Sequence, residues 1–303
     1  MLNAFEKSKV KAHLAILTAN LIYGLNYVIA KGIMPDYMSP RAIILLRVVV
    51  ASAVFWLFAW LFKNEKVARK DLMRMLWLAL FGVAINQIMF FEGLNLTTPI
   101  NSSIIMVGVP IAVLFFSFLF LKEKLDSFKI LGIVLGSVGA LWLILRNGEI
   151  SFNSATFTGN LLMVVNVTSY AFFLVMVKPL MKKYSPITIM KWVFTFGMIY
   201  VVPFSFGRFI ATDFKAIPWN IWLSIAYVVF FTTVLAYFLN NYSLKTVSPV
   251  VNSVYIYLQP FLATVVALAT GKDVLTVTEV VASALIFLGV YFVSIHGLKI
   301  NKS

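Results

Sequence analysis

The sequence predicts an all-α membrane protein of ten transmembrane helices, built from two inverted five-helix repeats. Three observations carry this reading. Hydrophobic residues make up 61% of the 303 and charged residues 12%, whereas a soluble domain has about 45–50% apolar and about 25% charged residues. Apolar runs of roughly 20 residues, the length a bilayer core about 30 Å thick demands, recur along the whole chain. The second half of the chain also repeats the first.

The runs lie near residues 12–31, 42–62, 72–92, 97–121, 127–145, 157–179, 186–206, 218–240, 247–270 and 275–297. Helix breakers separate many of them: Pro35, Pro40, Pro99, Gly148, Pro186, Pro218, Pro249 and Gly271. The first run, Ala12 to Ala30, is span-length and lacks a small-residue cleavage site, so it reads as a helix and not as a leader. Charge then orients the spans. Seventeen of the 25 lysines and arginines fall on the side of the termini, six on the other, and Arg47 and Lys191 within spans. That bias predicts a multi-pass protein of the cytoplasmic (inner) membrane with both termini cytoplasmic. Lys191 is expected to snorkel towards the cytoplasm.

The net charge of +14 is therefore a matter of orientation. It is spread over short loops without a basic arm, which argues against a nucleic-acid partner. Absence of cysteine removes disulfides and thiolate metal sites. No cofactor is expected. His13 and His296 sit at span edges, and the chain has no HExxH, no DDxxD-type cluster and no GxxxxGK[ST] loop. An integral-membrane enzyme needs a base, a metal or an acidic cluster, so the sequence argues against an enzyme and against a nucleotide-driven pump.

A gapless shift of 150 residues places Pro99 on Pro249, Ser103 on Ser253, Pro110 on Pro260, Lys122 on Lys272, Leu125 on Leu275 and Gly139 on Gly289. "PINSSIIMVGVP" and "PVVNSVYIYLQP" are thus one element in two copies. Upstream the match loosens, with Ser39-Pro40 on Ser185-Pro186 and Tyr23 on Tyr170. The copies divide at residues 1–148 and 149–303. Five spans per copy force the second to enter the membrane upside down, an arrangement common in secondary transporters, whose substrate site lies at the repeat interface near the midplane.

Polar residues on apolar spans mark the expected cavity wall. Asn252, Tyr255 and Gln259 recur at i, i+3 and i+7 and are assigned to one cavity-facing side, while Tyr257 points elsewhere. Asn20, Tyr23, Tyr27 and Lys31 form a second stripe. Gln87 falls on Tyr237 at the same offset, and Asn166 with Tyr170, and Thr233 with Tyr237, extend the pattern. Interhelical glue is the plainer use of any single one of these groups. Glu92, in "FFEGLNL", is the one acidic residue set inside a span, suited to a substrate ammonium, to proton exchange, or to a pair with Lys31 or Arg41. Pro110 and Pro260 are the expected hinge or kink positions.

"YGLNYVIAKGIMPDYMSPRAIILLR" and the stretch from "LTTPINSSIIMVGVP" to "GSVGALWLI" resemble an EamA-like repeat of the drug/metabolite transporter superfamily, with a second copy around Pro260, Asp273 and Gly289. The resemblance covers nearly the whole chain and implies ten helices and movement of small metabolites through a central cavity. It gives Arg47 a structural role, tying helix ends through carbonyls, with substrate binding as the alternative. Tyr23-Gly24 stands where the family has Trp-Gly, and Val193 stands where the first copy has Arg47, with Lys191 nearby. The expectation is a transporter, acting as an exporter, of a small neutral or zwitterionic, amino-acid-like solute by alternating access. A channel-like facilitator is the alternative. Coupling to protons through Glu92 and uncoupled facilitation both remain open at this point.

Overall fold

Four helices start on a hydroxyl residue followed by proline. Ser39, Thr98, Ser185 and Ser248 hold extended backbone, and each Oγ accepts the N–H three residues on, from Ala42, Asn101, Thr188 and Val251, at 3.1–3.3 Å. The proline fills the first turn, where its missing N–H costs nothing. The computed structural model describes residues 4–62, 65–124, 126–146, 154–269 and 277–299. Gly148, Gly271, Lys272, Asp273 and Leu125 lie outside the described residues, as do the side chains of Arg146 and His296.

The helices in chain order are α1 (Ala4–Ile33), α2 (Pro40–Leu61), α3 (Arg69–Leu96), and α4 in two pieces, Pro99–Met106 and Val109–Leu121. Then come α5 (Ser127–Arg146), α6 (Ser154–Met181), α7 (Pro186–Ile210) and α8 (Trp219–Ser243). The ninth, α9, runs Pro249–Val254, Tyr255–Tyr257 and Leu258–Ala269, and α10 is Val277–Lys299. Among the described residues all regular structure is helical, and 7 helices are long and apolar enough to cross a membrane: α1 to α4 and α6 to α8. The described apolar stretches of α5 and α10 are shorter, Ser127–Gly139 and Val280–Ser294. The outward face is apolar, with Trp60, Phe62, Phe204 and Ile210 exposed, as a lipid-facing surface requires.

Two of the long helices widen locally. Leu80–Ile85 of α3 and Tyr227–Leu235 of α8 are π-helical, which misaligns backbone carbonyls and leaves them open to other donors. Hydroxyl and amide groups take them up. Ser169 Oγ donates to Phe81 O at 2.6 Å, Asn166 Nδ2 to Asn86 O at 2.7 Å and Tyr237 Oη to Gly82 O at 3.4 Å. Within α8 the hydroxyls of Thr232 and Thr233 bond the carbonyls five residues back, Tyr227 and Val228. The other interruptions precede the two marked prolines: α4 breaks at Val107–Gly108 ahead of Pro110, and α9 tightens into a 3₁₀ turn at Tyr255–Tyr257 ahead of Pro260.

Packing joins the two halves of the chain throughout. Helix α1 packs on α8 and α9, α6 on α3 and α4, α2 on α7 and α8, α7 on α3, α4 on α9, and α5 on α10. Exchanging each helix for the one five places along leaves that set unchanged, while α5 also packs on α9. The α5–α10 contact depends on glycine: a Cβ on Gly132 would lie 2.7 Å from Gly289 O, and one on Gly289 would lie 2.6 Å from Gly132 O. Lysines tie helix ends. Lys31 Nζ donates to the carbonyls of Leu94, Asn95 and Thr97 at 2.9, 2.7 and 3.1 Å, and Lys178 Nζ donates to those of Leu244 and, at 2.6 Å, Val247. Each ammonium thus satisfies carbonyls at a C-terminal helix end that have no partner within their own helix. Lys31 is therefore a clamp on α3 and not part of the polar stripe assigned to it from spacing.

Candidate functional site

The stretch of α3 that follows its widened part, the widened part of α8 and the tight turn of α9 meet around one central cavity. Helix α1 supplies Tyr23, Asn26 and Tyr27, α2 supplies Arg47, and α3 supplies Asn86, Gln87, Phe90 and Phe91. Met106 comes from α4, Asn166 and Tyr170 from α6, Thr232 and Tyr237 from α8, and Ile256 and Gln259 from α9. The centre of a water-sized sphere has about 70 Å³ to move in, several times the roughly 10–15 Å³ that one buried water needs. The space suits one small organic solute.

Part of the wall is locked by hydrogen bonds and part is open. Tyr237 Oη donates to Asn86 Oδ1 at 3.0 Å, Thr232 Oγ1 to Asn26 Oδ1 at 3.2 Å, and Gln259 Nε2 to Asn20 Oδ1 at 2.8 Å. Tyr23 meets Tyr237 edge-on, ring centres 6.4 Å apart. The Gln87 amide stands close to the Tyr237 hydroxyl, yet neither of its atoms makes a hydrogen bond of good geometry, and Asn166 Oδ1 is likewise open. Buried polar atoms are normally satisfied, so open ones in a cavity wall are free to bind a solute. Arg47 brings the one charge. It is 3% exposed, its Nε donates to Thr233 Oγ1 at 2.6 Å, and its guanidinium carbon lies 4.5 Å from the centre of the Phe91 ring. The described lining contains neither aspartate nor glutamate.

The model of the EamA-like transporter family matches this chain twice, over residues 10–145 and 157–295. The chain belongs to the EamA-like transporter family. Curated relatives carry transporter names: the uncharacterized transporter YyaM of Bacillus subtilis (strain 168) is 24% identical over 92% of this chain and 92% of its own. An uncharacterized transporter of Archaeoglobus fulgidus is 27% identical over 85% and 89% respectively. A WAT1-related protein of Arabidopsis thaliana, At3g18200, is 24% identical over 94% of this chain and 82% of its own. One solved crystal structure shares the fold, with TM-score 0.74 at 17% identity over 95% of this chain and 98% of that one. The protein is thus a multi-pass membrane transporter, and a lipid bilayer and a small-molecule substrate are its partners.

Seven of the residues picked from spacing line the cavity of this EamA-like transporter: Tyr23, Tyr27, Gln87, Asn166, Tyr170, Tyr237 and Gln259. Four do not. Asn20 stands behind Gln259 and also donates to Ile16 O at 2.9 Å. Asn252 turns to α8, donating to Ser243 Oγ at 2.5 Å and Asn240 O at 3.2 Å. Tyr255 lies 2.6 Å, hydroxyl to Nδ1, from His13 of α1. The common face predicted for Asn252, Tyr255 and Gln259 is split because the 3₁₀ turn advances each residue by about 120° instead of about 100°; Ile256 takes the cavity position. Tyr257 does point elsewhere, to Ser137 of α5 at 2.8 Å. Glu92 accepts from Arg41 Nε at 2.7 Å and lies outside the lining.

Spacing missed Asn26, Asn86 and Thr232, and the surroundings that the resemblance implies for Arg47 differ from those observed. Arg47 bonds a threonine hydroxyl and an aromatic face, not helix-end carbonyls. Lys191 is 1% exposed and lies 4.4 Å from the centre of the Trp56 ring, so it does not reach water. The signal that could have found Asn26 is its i+3 relation to Tyr23 on an ordinary α-helix.

Proposed function

We propose that this EamA-like transporter is a secondary carrier that exports a small neutral or zwitterionic, amino-acid-like metabolite across the cytoplasmic membrane by alternating access. The observation that carries the reading is the cavity, walled by four phenols and by amides with open polar atoms at Gln87 and Asn166, between helices of both family matches. In this reading ten spans form two inverted five-helix repeats, residues 1–148 and 149–303, with both termini cytoplasmic. The exchange-invariant packing and the hydrogen-bonded contacts of α1 with α8 and α9 support it. The two halves rock about the cavity, with the interrupted helices at Pro110 and Pro260 as the elements that bend. Transport is uncoupled from protons, since the acidic residue within a span, Glu92, is held by Arg41 away from the cavity. The family resemblance implies export or uptake, and export is the direction of this reading.

The test is counterflow in proteoliposomes of the purified protein. Uptake should saturate at modest concentration, as a carrier's does; flux rising linearly with concentration would replace the carrier with a channel-like facilitator. Gln259→Leu and Tyr237→Phe should each lower flux about tenfold, the effect of losing about 1.4 kcal/mol of polar contact, at unchanged folded yield. Unchanged transport in both would remove them from the solute's path.

A further inference from the structure

We propose that Arg47 anchors a carboxylate of the transported solute, so that among amino-acid-like solutes the protein carries those with a free carboxylate and rejects their carboxamides. This rests on the transport reading above. Arg47 is a buried cation in the cavity wall whose only hydrogen bond among the described residues runs from Nε to Thr233. Its four terminal N–H groups have no protein partner there, and no aspartate or glutamate of the described lining neutralises it. An uncompensated charge in such a place is strongly unfavourable unless an anion arrives to meet it.

The geometry selects the anion. Phe91 covers one face of the guanidinium, which leaves the planar edge with its paired N–H groups, a fork that matches the two oxygens of a carboxylate. The frame does not itself require a cation at this point of the helix, because the position seven residues after the second Ser-Pro start is Val193, buried in the equivalent place on α7. The remaining wall fits the rest of such a solute. Gln87 and Asn166 offer open amide oxygens to an ammonium or hydroxyl group, and Phe90, Met106 and Ile256 offer apolar contact.

The experiment pairs acids with their amides: L-alanine, L-leucine, L-phenylalanine and propanoate against alaninamide, leucinamide, phenylalaninamide and propanamide. Each is scored as a thermal-shift ligand of the purified protein and as a competitor in proteoliposome counterflow. At least one acid should stabilise and compete, its amide doing so about 30-fold more weakly, as expected for truncation of a buried charge pair. Arg47→Gln should erase the preference and Arg47→Lys retain part of it. Thr233→Asp, which supplies a resident carboxylate beside the guanidinium, should raise the melting temperature and abolish the response to acids; it decides the matter if Arg47→Gln does not fold. Amides equal to acids, or acids still recognised by Thr233→Asp, would overturn the anchor while leaving transport intact. No flux of any solute, with acids and amides alike silent, would overturn the transport reading and the anchor with it.

Discussion

The two family matches, residues 10–145 and 157–295, share a frame and differ in what that frame presents. Helix starts recur, at Ser39 and Ser185 and at Thr98 and Ser248. So do the π segments of α3 and α8, the breaks in α4 and α9, and the lysine clamps of Lys31 and Lys178. Apart from Tyr23 and its counterpart Tyr170, the cavity side chains do not recur. Gln87 stands opposite Tyr237 in the repeat and Arg47 opposite Val193. A backbone device such as a cap or a clamp serves each copy alike, whereas a solute without twofold symmetry needs different groups on its two sides. One cation is enough.

The largest effect comes from forcing the copies to match. Val193 is 1% exposed, and Val193→Arg would bury a second guanidinium with no planned partner. The cost is about 3–5 kcal/mol, a large part of a marginal stability, and fluorescence-detected size exclusion should show little monodisperse protein. A well-folded variant would mean that the second copy tolerates the charge and that the asymmetry at this position is incidental. Next comes the α5–α10 crossing. Gly132→Val and Gly289→Val both drive a side chain into facing backbone, each at about 1–3 kcal/mol. Similar drops in melting temperature are expected for both, and tolerance of either one would show that the helices can part there.

Legibility in the sequence followed backbone regularity. Run length and prolines found the long helices because a bilayer fixes the one and a missing N–H the other. On α1 and α6, which keep ordinary turns, the stripes of Tyr23 with Tyr27 and Asn166 with Tyr170 fall on the cavity as spaced. Where the turn changes, period arguments fail. The 3₁₀ turn of α9 sends Asn252 and Tyr255 away from Gln259. Arg47 escaped for another reason. A cation within a span can be read only once its partners are known, and those partners, Thr233 and Phe91, are distant in the chain.

The lysine clamps test the shared frame at intermediate strength. Lys31→Met and Lys178→Met each release carbonyls at a helix C-terminus, and each should cost about 1–2 kcal/mol, the range for a cation at a partly buried helix end. Equal losses in melting temperature would support one device used twice. A loss confined to Lys178→Met would instead make the first clamp dispensable and weaken the equivalence of the two copies.

Glu92→Gln should have the smallest effect. Its partner Arg41 is 47% exposed and Glu92 23%, and such solvent-screened pairs contribute about 0–1 kcal/mol. The position 150 residues on is Tyr242, which cannot reproduce the charge, so the pair belongs to the first copy alone and to the edge of the fold. Proteoliposome flux measured with and without a pH gradient should be the same in wild type and variant. A gradient-driven flux that vanishes on substitution would move Glu92 from the rim into the mechanism. It would then be a second functional charge confined to the first copy, joining Arg47 in making one half of the protein the chemical partner and the other its counterweight.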